Sequence, residues 1–586
     1  MVISDIDNYI HLRSRFLHPR LSMKRRHPCH QRLQQRRCAS FILCVLSWAF
    51  LAGASAQADT GFLIVAQDRG FVGNKEIREL VDAFAQTHPV ALAWQGRQAS
   101  GFEQDYIRYL DRAIQQLEDM GTQRIVVIPM FVSAAHPVLK RTRATLAQRY
   151  PGLVVQWAPT MASSDLIGQV LLDHTQEISQ NPAQERVILL GLGAVDEQTA
   201  SGIQTDIQRL AAYLTRYLPF QAVEIFVYYD PAAPEADERN QHIKAQLIER
   251  IAKKGRTLIV PAFIGPKYDY SMSMANWLGQ FFAEHEAVFQ PKVLVPHPNI
   301  LLWLAKTANT MTPPKTSEAI GIVLMPHGAT QPYNDAIERL IAPLRKEYRI
   351  EMAYGMGDPQ LLQEAISRLE QAGATHIVVV RMYSLAEQFQ AKMEYLLGLS
   401  TTLLNELAEG DVPPPQVRSA ARFITFGGYE EDPRAAQILC ERIREVSTNP
   451  AKETVLLLAH GAKSEERNAK WLTVMHSNIA RLRSLAACQE YRTIYAATLR
   501  EDWPTLRDSA LDNIRSLIER ASRHGKVLVI ANRLYGAGPY RTLLDGLVYT
   551  LNDKGFLHPL LREWLRTGIE EHIARLYAPD ESPHVH

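Results

Sequence analysis

Two histidines occupy matched places in this chain. His327-Gly328 follows Gly321-Ile322-Val323-Leu324-Met325-Pro326, and His460-Gly461 follows Val455-Leu456-Leu457-Leu458-Ala459. Asn334 and Asn468 come seven and eight residues after them. Gln67 holds the same place after Phe62-Leu63-Ile64-Val65-Ala66, with Asn74 seven residues on, and Leu192-Gly193 closes a fourth such run. A further histidine, His136, ends the loop Met130–Ala135 and is followed by Lys140, Arg141 and Arg143, while Glu387-Gln388 falls at the comparable point downstream of His327. Imidazole exchanges its proton near neutral pH and offers a lone pair to divalent metals, so these positions are suited to proton transfer or metal ligation. A His-Gly turn also occurs with a purely structural role, and its recurrence in register is what favours function here.

Other side chains have plainer readings. His297 and His558, each followed by proline, read as structural loop residues, and Met272 and Met274 beside Tyr268 and Tyr270 read as a helix entering the core. Lys140, Arg141 and Arg143 are also compatible with a solvated helix face. No GxxxxGK[ST] loop is present, Gly191-Leu192-Gly193 lacks the third glycine of a dinucleotide fingerprint, and no GxSxG accompanies the histidines. These absences exclude the familiar nucleotide-binding and α/β-hydrolase signatures.

The elements that carry these residues recur. Apolar runs start at Phe62, Val187, Gly321 and Val455, and each is followed by a turn and a helix-period segment such as 74–80 or 334–340. A second apolar run ends each unit's middle helix: 125–129, 258–261, 377–380 and 527–530. Apolar strands without alternation, separated by amphipathic helices, predict doubly wound parallel sheets. Breaks at Asn181-Pro182, Thr312-Pro313-Pro314 and Asn449-Pro450 divide the chain into lobes at 59–182, 183–312, 313–448 and 449–586, expected to pair as two bilobal bodies. In such sheets ligands sit beyond the carboxyl ends of the strands, where the histidines fall.

A chain of 586 residues needs several cores, and 46% hydrophobic with 22% charged residues is a globular composition. The net charge of +2 hides an asymmetry: residues 1–58 hold nine Lys/Arg against two Asp/Glu, leaving 55 basic and 60 acidic residues in the body. No basic face argues for nucleic acid. The basic head leads to the apolar run 41–52 and to Ala56-Gln57-Ala58, the pattern of a secretory signal cleaved near Ala58. The body is therefore expected to be periplasmic or secreted, touching a membrane only through the export segment; an uncleaved N-terminal anchor is the alternative. Of five cysteines only Cys440 and Cys488 lie beyond the leader; two unrelated buried thiols are expected, with a disulfide in an oxidising compartment as the alternative.

The order of strand, His-Gly with a small residue, and Asn opening a helix resembles the sirohydrochlorin chelatases. So does a second histidine in a loop of the type Ile128-Pro129-Met130-Phe131-Val132-Ser133-Ala134-Ala135-His136. The lobe is shared by the wider ATP-independent class II chelatases, ferrochelatase included, and the resemblance extends over nearly all of the body. It implies chelatase-like lobes in four degenerate copies and insertion of Co²⁺, Fe²⁺ or Ni²⁺ into a tetrapyrrole without nucleotide. It further implies His327, His460 and His136 as metal ligands and bases, Glu387 as a carboxylate in place of a second histidine, and Asn334, Asn468, Lys140 and Arg141 as contacts to the macrocycle. In no lobe are both family histidines present: Gln67, Glu387-Gln388 and Gly538-Pro539-Tyr540 stand at the vacated positions of lobes one, three and four, and lobe two has neither. The alternative implied is a non-catalytic exported protein that binds a tetrapyrrole, haem or a metal ion.

Overall fold

In the computed structural model, described for residues 60–96, 102–253, 255–266, 271, 273–405, 407 and 411–578, sixteen strands form four parallel sheets. The first holds β1 (Thr60–Gln67), β2 (Val90–Gln95), β3 (Arg124–Met130) and β4 (Val155–Trp157). The second holds β5 (Glu185–Ala194), β6 (Ala222–Tyr229), β7 (Arg256–Pro261) and β8 (Val288–Phe289). The third holds β9 (Ile320–Met325), β10 (Arg349–Met352), β11 (His376–Arg381) and β12 (Arg422–Gly427); the fourth holds β13 (Glu453–Ala459), β14 (Thr493–Thr498), β15 (Lys526–Asn532) and β16 (Thr550–Asn552). Each sheet has one order, with its first strand between its second and third and the fourth outside the third. The expected α/β class is thereby observed. The leader, with its export and cleavage expectations, lies outside the described residues, as do Tyr268, Tyr270 and Met272.

Burial explains why the strands are apolar on both sides. In β1, Phe62, Ile64 and Ala66 enter a core shared with the second lobe, whereas Leu63 and Val65 enter a separate core within the first. The fourth lobe repeats this: Val455, Leu457 and Ala459 join a core shared with the third lobe, and Leu456 and Leu458 face their own helices. Successive side chains of a strand point to opposite faces, so a sheet covered on both must be apolar at every position. The shared cores pair lobe one with two and lobe three with four. Tyr217 Oη lies 2.6 Å from Tyr395 Oη, and Arg418 reaches Asp173 at 2.7 Å, so the pairs also touch one another. Among the described residues, no helix is long and apolar enough to cross a membrane.

The expected pair of free thiols is corrected: Cys440 and Cys488 are joined by a disulfide. Cys440 lies on the helix Pro433–Arg444 of the third lobe, and Cys488 follows the helix Glu465–Ser484 of the fourth. These helices pack against each other in the shared core, which brings together two sulfurs that are 48 residues apart in sequence.

Candidate functional site

The strand ends of paired lobes face each other with approximate twofold symmetry. In the first pair both crossing points are glycines. A Cβ on Gly202, in the helix Glu197–Tyr217, would lie 2.5 Å from the Cβ of Ala135; one on Gly73, in the helix Gly70–Ala85, would lie 3.4 Å from Pro266 N. The corresponding positions of the second pair are large. Tyr333 meets Tyr535 edge to face with centroids 5.5 Å apart, and Lys470 forms an ion pair with Glu387. Small residues cross the first junction, and bulkier polar contacts cross the second. Gly202→Ala is therefore expected to cost about 1–3 kcal/mol by overpacking, with part of the loss recovered in Gly202→Ala/Ala135→Gly, measured as urea midpoints. An unchanged midpoint in the single variant would contradict the close approach.

His136 belongs to the first junction. It is 7% exposed, its Nδ1 accepts the Val138 N–H (3.3 Å) at the start of the helix Pro137–Arg149, and its ring lies against Gly193, where a Cβ would sit 2.7 Å from Nε2. His136 therefore caps a helix through Nδ1 and fills the junction with lobe two. Arg141 donates to the Gly96 carbonyl, Arg143 stacks over Trp157 at 4.7 Å, and Lys140 is exposed on the same helix. None of these three cations lies on the second cleft. His297 and His558 also cap helices, through the N–H groups of Asn299 and Leu560, which agrees with their structural reading.

The second cleft holds His327 and His460 in one local geometry. The Nδ1 atoms lie 2.7 and 2.9 Å from the carbonyl oxygens of Gly328 and Gly461. A peptide oxygen only accepts, so Nδ1 carries a proton in both rings, which leaves Nε2 as the atom available to a partner. Gly328 and Gly461 have φ of +72° and +85°, a region costly for other residues. A Cβ on Gly461 would also approach Thr498 Cβ to 2.8 Å, so Gly461→Ala is expected to lose about 1–3 kcal/mol and to disorder His460. Thermal unfolding together with the His460 NMR signal would report both; an intact signal would rule out the proposed constraint.

Around His460 the site is richer than around the exposed His327. Its Nε2 is 3.1 Å from Asp502 Oδ2, its ring lies nearly parallel to Trp471 (6.2 Å, 16°), and Trp503 stands edge-on at 6.0 Å. Arg500 locks the loop: its N–H donates to the His460 carbonyl (2.6 Å), and its guanidinium donates to Ala462 and Lys463 and pairs with Glu465. Asn468 and Asn334 brace these loops, their Oδ1 atoms accepting the N–H of Ala462 (3.3 Å) and Ala329 (3.4 Å), as Asn74 does for Arg69 (2.8 Å). The two asparagines therefore brace loops, and Glu387 is paired with Lys470.

Gly538 occupies the fourth lobe's counterpart of the His136 position. A Cβ there would lie 2.6 Å from Arg533 Nη1, and φ is +52°, so a side chain at this position would be strained and would displace Arg533. The His-Gly recurrence points only to the ends of the first and third strands of each lobe, and Asp502, Trp471 and Trp503 lie elsewhere in the chain. Asp502 comes after the second strand of its lobe; the acidic pair Glu501-Asp502 beyond Thr493–Thr498 was the signal that could have found it.

Neither a protein-family model nor a curated protein matches the chain. Among solved structures it is similar to the sirohydrochlorin chelatase SirB from Bacillus subtilis subspecies spizizenii in complex with cobalt, at 14% identity and a TM-score of 0.31, over 42% of this chain and 91% of that one. SirB from Bacillus subtilis with Fe³⁺ gives 15% identity and 0.31, with the same coverage. A multi-domain protein from Deinococcus radiodurans with structural similarity to chelatases gives 14% and 0.29, over 43% of this chain and 55% of that one. No chemistry is carried from these proteins to this chain.

Proposed function

We propose that the cleft between lobes three and four takes a divalent metal and a tetrapyrrole, and that the protein inserts the metal without nucleotide. The observation that carries this reading is His460: its Nδ1 proton is tied to a carbonyl, its Nε2 faces a carboxylate, and two indoles flank it. A histidine oriented through Nδ1 presents Nε2 as ligand or base. Insertion of M²⁺ releases two pyrrole protons; His460 and His327 would accept them, with Asp502 stabilising the imidazolium at His460. The partly exposed Trp503 indole offers apolar surface to a flat macrocycle, and Trp471 backs the His460 ring from the core. Co²⁺, Fe²⁺ and Ni²⁺ are the metals whose ligand preferences this chemistry suits, as substrates rather than resident cofactors.

A second reading has its own support. Among the described residues no group of three or more His, Cys, Asp and Glu side chains is arranged to hold a metal ion, and Gln388 and Gly538 stand where a second histidine is expected. A binding protein derived from a chelatase fits that incomplete set. Export of the body, by cleavage near Ala58 or on an uncleaved anchor, is proposed with either reading; the leader pattern and the Cys440–Cys488 disulfide support it. Absorbance of the mature protein with sirohydrochlorin and each metal in turn separates the two. Multiple turnovers support the chelatase, a change that stops at one equivalent supports the carrier, and no change overturns both.

A further inference from the structure

Behind His460 lies a group of polar side chains where the other lobes are apolar. Glu430 follows β12 and is wholly buried, and its N–H donates to the Ser384 carbonyl (3.1 Å). The same hydrogen bond is made by Ala162 to Val132 in lobe one and by Leu557 to Leu534 in lobe four, so a carboxyl occupies a methyl or isobutyl position. Its surroundings changed with it. Trp471 is three residues beyond Asn468, where Ile77 and Ile337 follow Asn74 and Asn334; Asn532 lies opposite Ala459, where Met130 lies opposite Ala66. Asn532 Nδ2 donates to Glu430 Oε2 (2.7 Å), Asn478 Nδ2 donates to the Glu430 carbonyl (2.8 Å), and Ser384 Oγ lies 3.1 Å from Tyr429 Oη. Trp471 turns its indole N–H toward the carboxyl without closing a well-formed hydrogen bond.

A buried acid is costly unless something compensates it, and a cluster of polar exchanges at one junction is not what packing alone selects. Two of the partners, Asn532 and Asn478, come from the fourth lobe, so the carboxyl joins the lobes; Trp471 connects it to the His460 ring. We infer that Glu430 is a positioning residue, holding lobe three against lobe four and setting Trp471 behind His460. Its functional meaning rests on the proposed cleft, but the contacts do not. Burial raises the Glu430 carboxyl to about 7, with Ser384, Asn532 and Trp471 opposing the rise and Glu431 adding to it. Also near the carboxyl are Tyr429 on its own loop, Tyr333 and Tyr383 in lobe three, and Arg533 from the loop after β15, through their contacts with Tyr429 and one another. Because the folded pKa lies above the unfolded one, the stability this group confers is complete below about 4.5 and lost as pH rises through 7.

The test uses the mature apo protein, so it is independent of whether any tetrapyrrole binds. Trp471 emission is isolated as wild type minus Trp471→Phe between about pH 5 and 9. A transition near pH 7 is expected, absent in Glu430→Gln and retained in His460→Gln, which assigns it to the carboxyl. Asn532→Leu removes a donor to the carboxylate and should move the midpoint upward, which keeps the test decisive if Glu430→Gln does not fold. The His460 ring signals should shift in Glu430→Gln and stay in place in the remote Glu441→Gln. A transition that persists in Glu430→Gln, a midpoint unmoved in Asn532→Leu, or an unmoved His460 signal in Glu430→Gln would overturn the assignment.

Discussion

His460→Ala is expected to lower kcat/KM for metal insertion by about 10²–10⁴-fold, the usual contribution of a positioned acid–base group. The size of the effect comes from the sparseness of the site: one imidazole is oriented at Nδ1 by the Gly461 carbonyl and meets Asp502 at Nε2, and Gly538 leaves no second histidine in that lobe. Asp502→Asn should be milder, about 10–100-fold, because the carboxylate supports the ring at Nε2 and does not itself take the pyrrole proton. His136→Ala should leave turnover within a few-fold while lowering stability, since that ring caps a helix at the first junction. Steady-state absorbance of the metallated ring, with Co²⁺ as the first metal, measures all three. If the protein proves to be a carrier, the same ranking applies to equilibrium Co²⁺ affinity. A His460→Ala protein within about threefold of wild type, or a His136→Ala protein that alone is inactive, would move the site to the other cleft.

Cys440→Ser is expected to lower the unfolding free energy of the third and fourth lobes by about 4 kcal/mol, from the chain entropy released by a loop of 48 residues. The bond joins helices that already pack, so the native fold should survive its loss. Cys488→Ser and reduction of the wild type should give the same shift, and the double variant should add nothing further. Thermal unfolding with and without reductant checks this. A reduced wild type with an unchanged midpoint would show that the denatured chain is not constrained as the structure implies.

The architecture was legible for a local reason. The apolar runs beginning at Phe62, Val187, Gly321 and Val455 became β1, β5, β9 and β13, and the helix patterns at 74–80 and 334–340 became Gly70–Ala85 and Gln331–Ile341. Two-sided burial leaves a mark on every residue of a strand, so its trace is continuous in sequence. The placement of His327 and His460 at strand ends was legible in the same way, as was the structural role of His297 and His558 beside their prolines. The asparagines were legible in place but not in role: their spacing from His-Gly is equally the spacing of a loop brace. Asn74 beside Gln67 was the hint that the asparagine serves the turn rather than the histidine.

What the residues alone determined was the class of fold, the four repeated strand runs and the strand ends where His327 and His460 fall, because each depends on periodicity and turn geometry within a few residues. How the lobes of each pair meet was decided only by the tertiary structure. That outcome depends on Gly202 against Ala135 and Lys470 against Glu387, pairs separated by 67 and 83 positions whose contact no local pattern encodes. The same holds for Glu430 with Asn532 and for Cys440 with Cys488. A side chain's type is written in the chain, but its partner, its solvent and therefore its protonation and role are set by which distant lobe the fold packs against it.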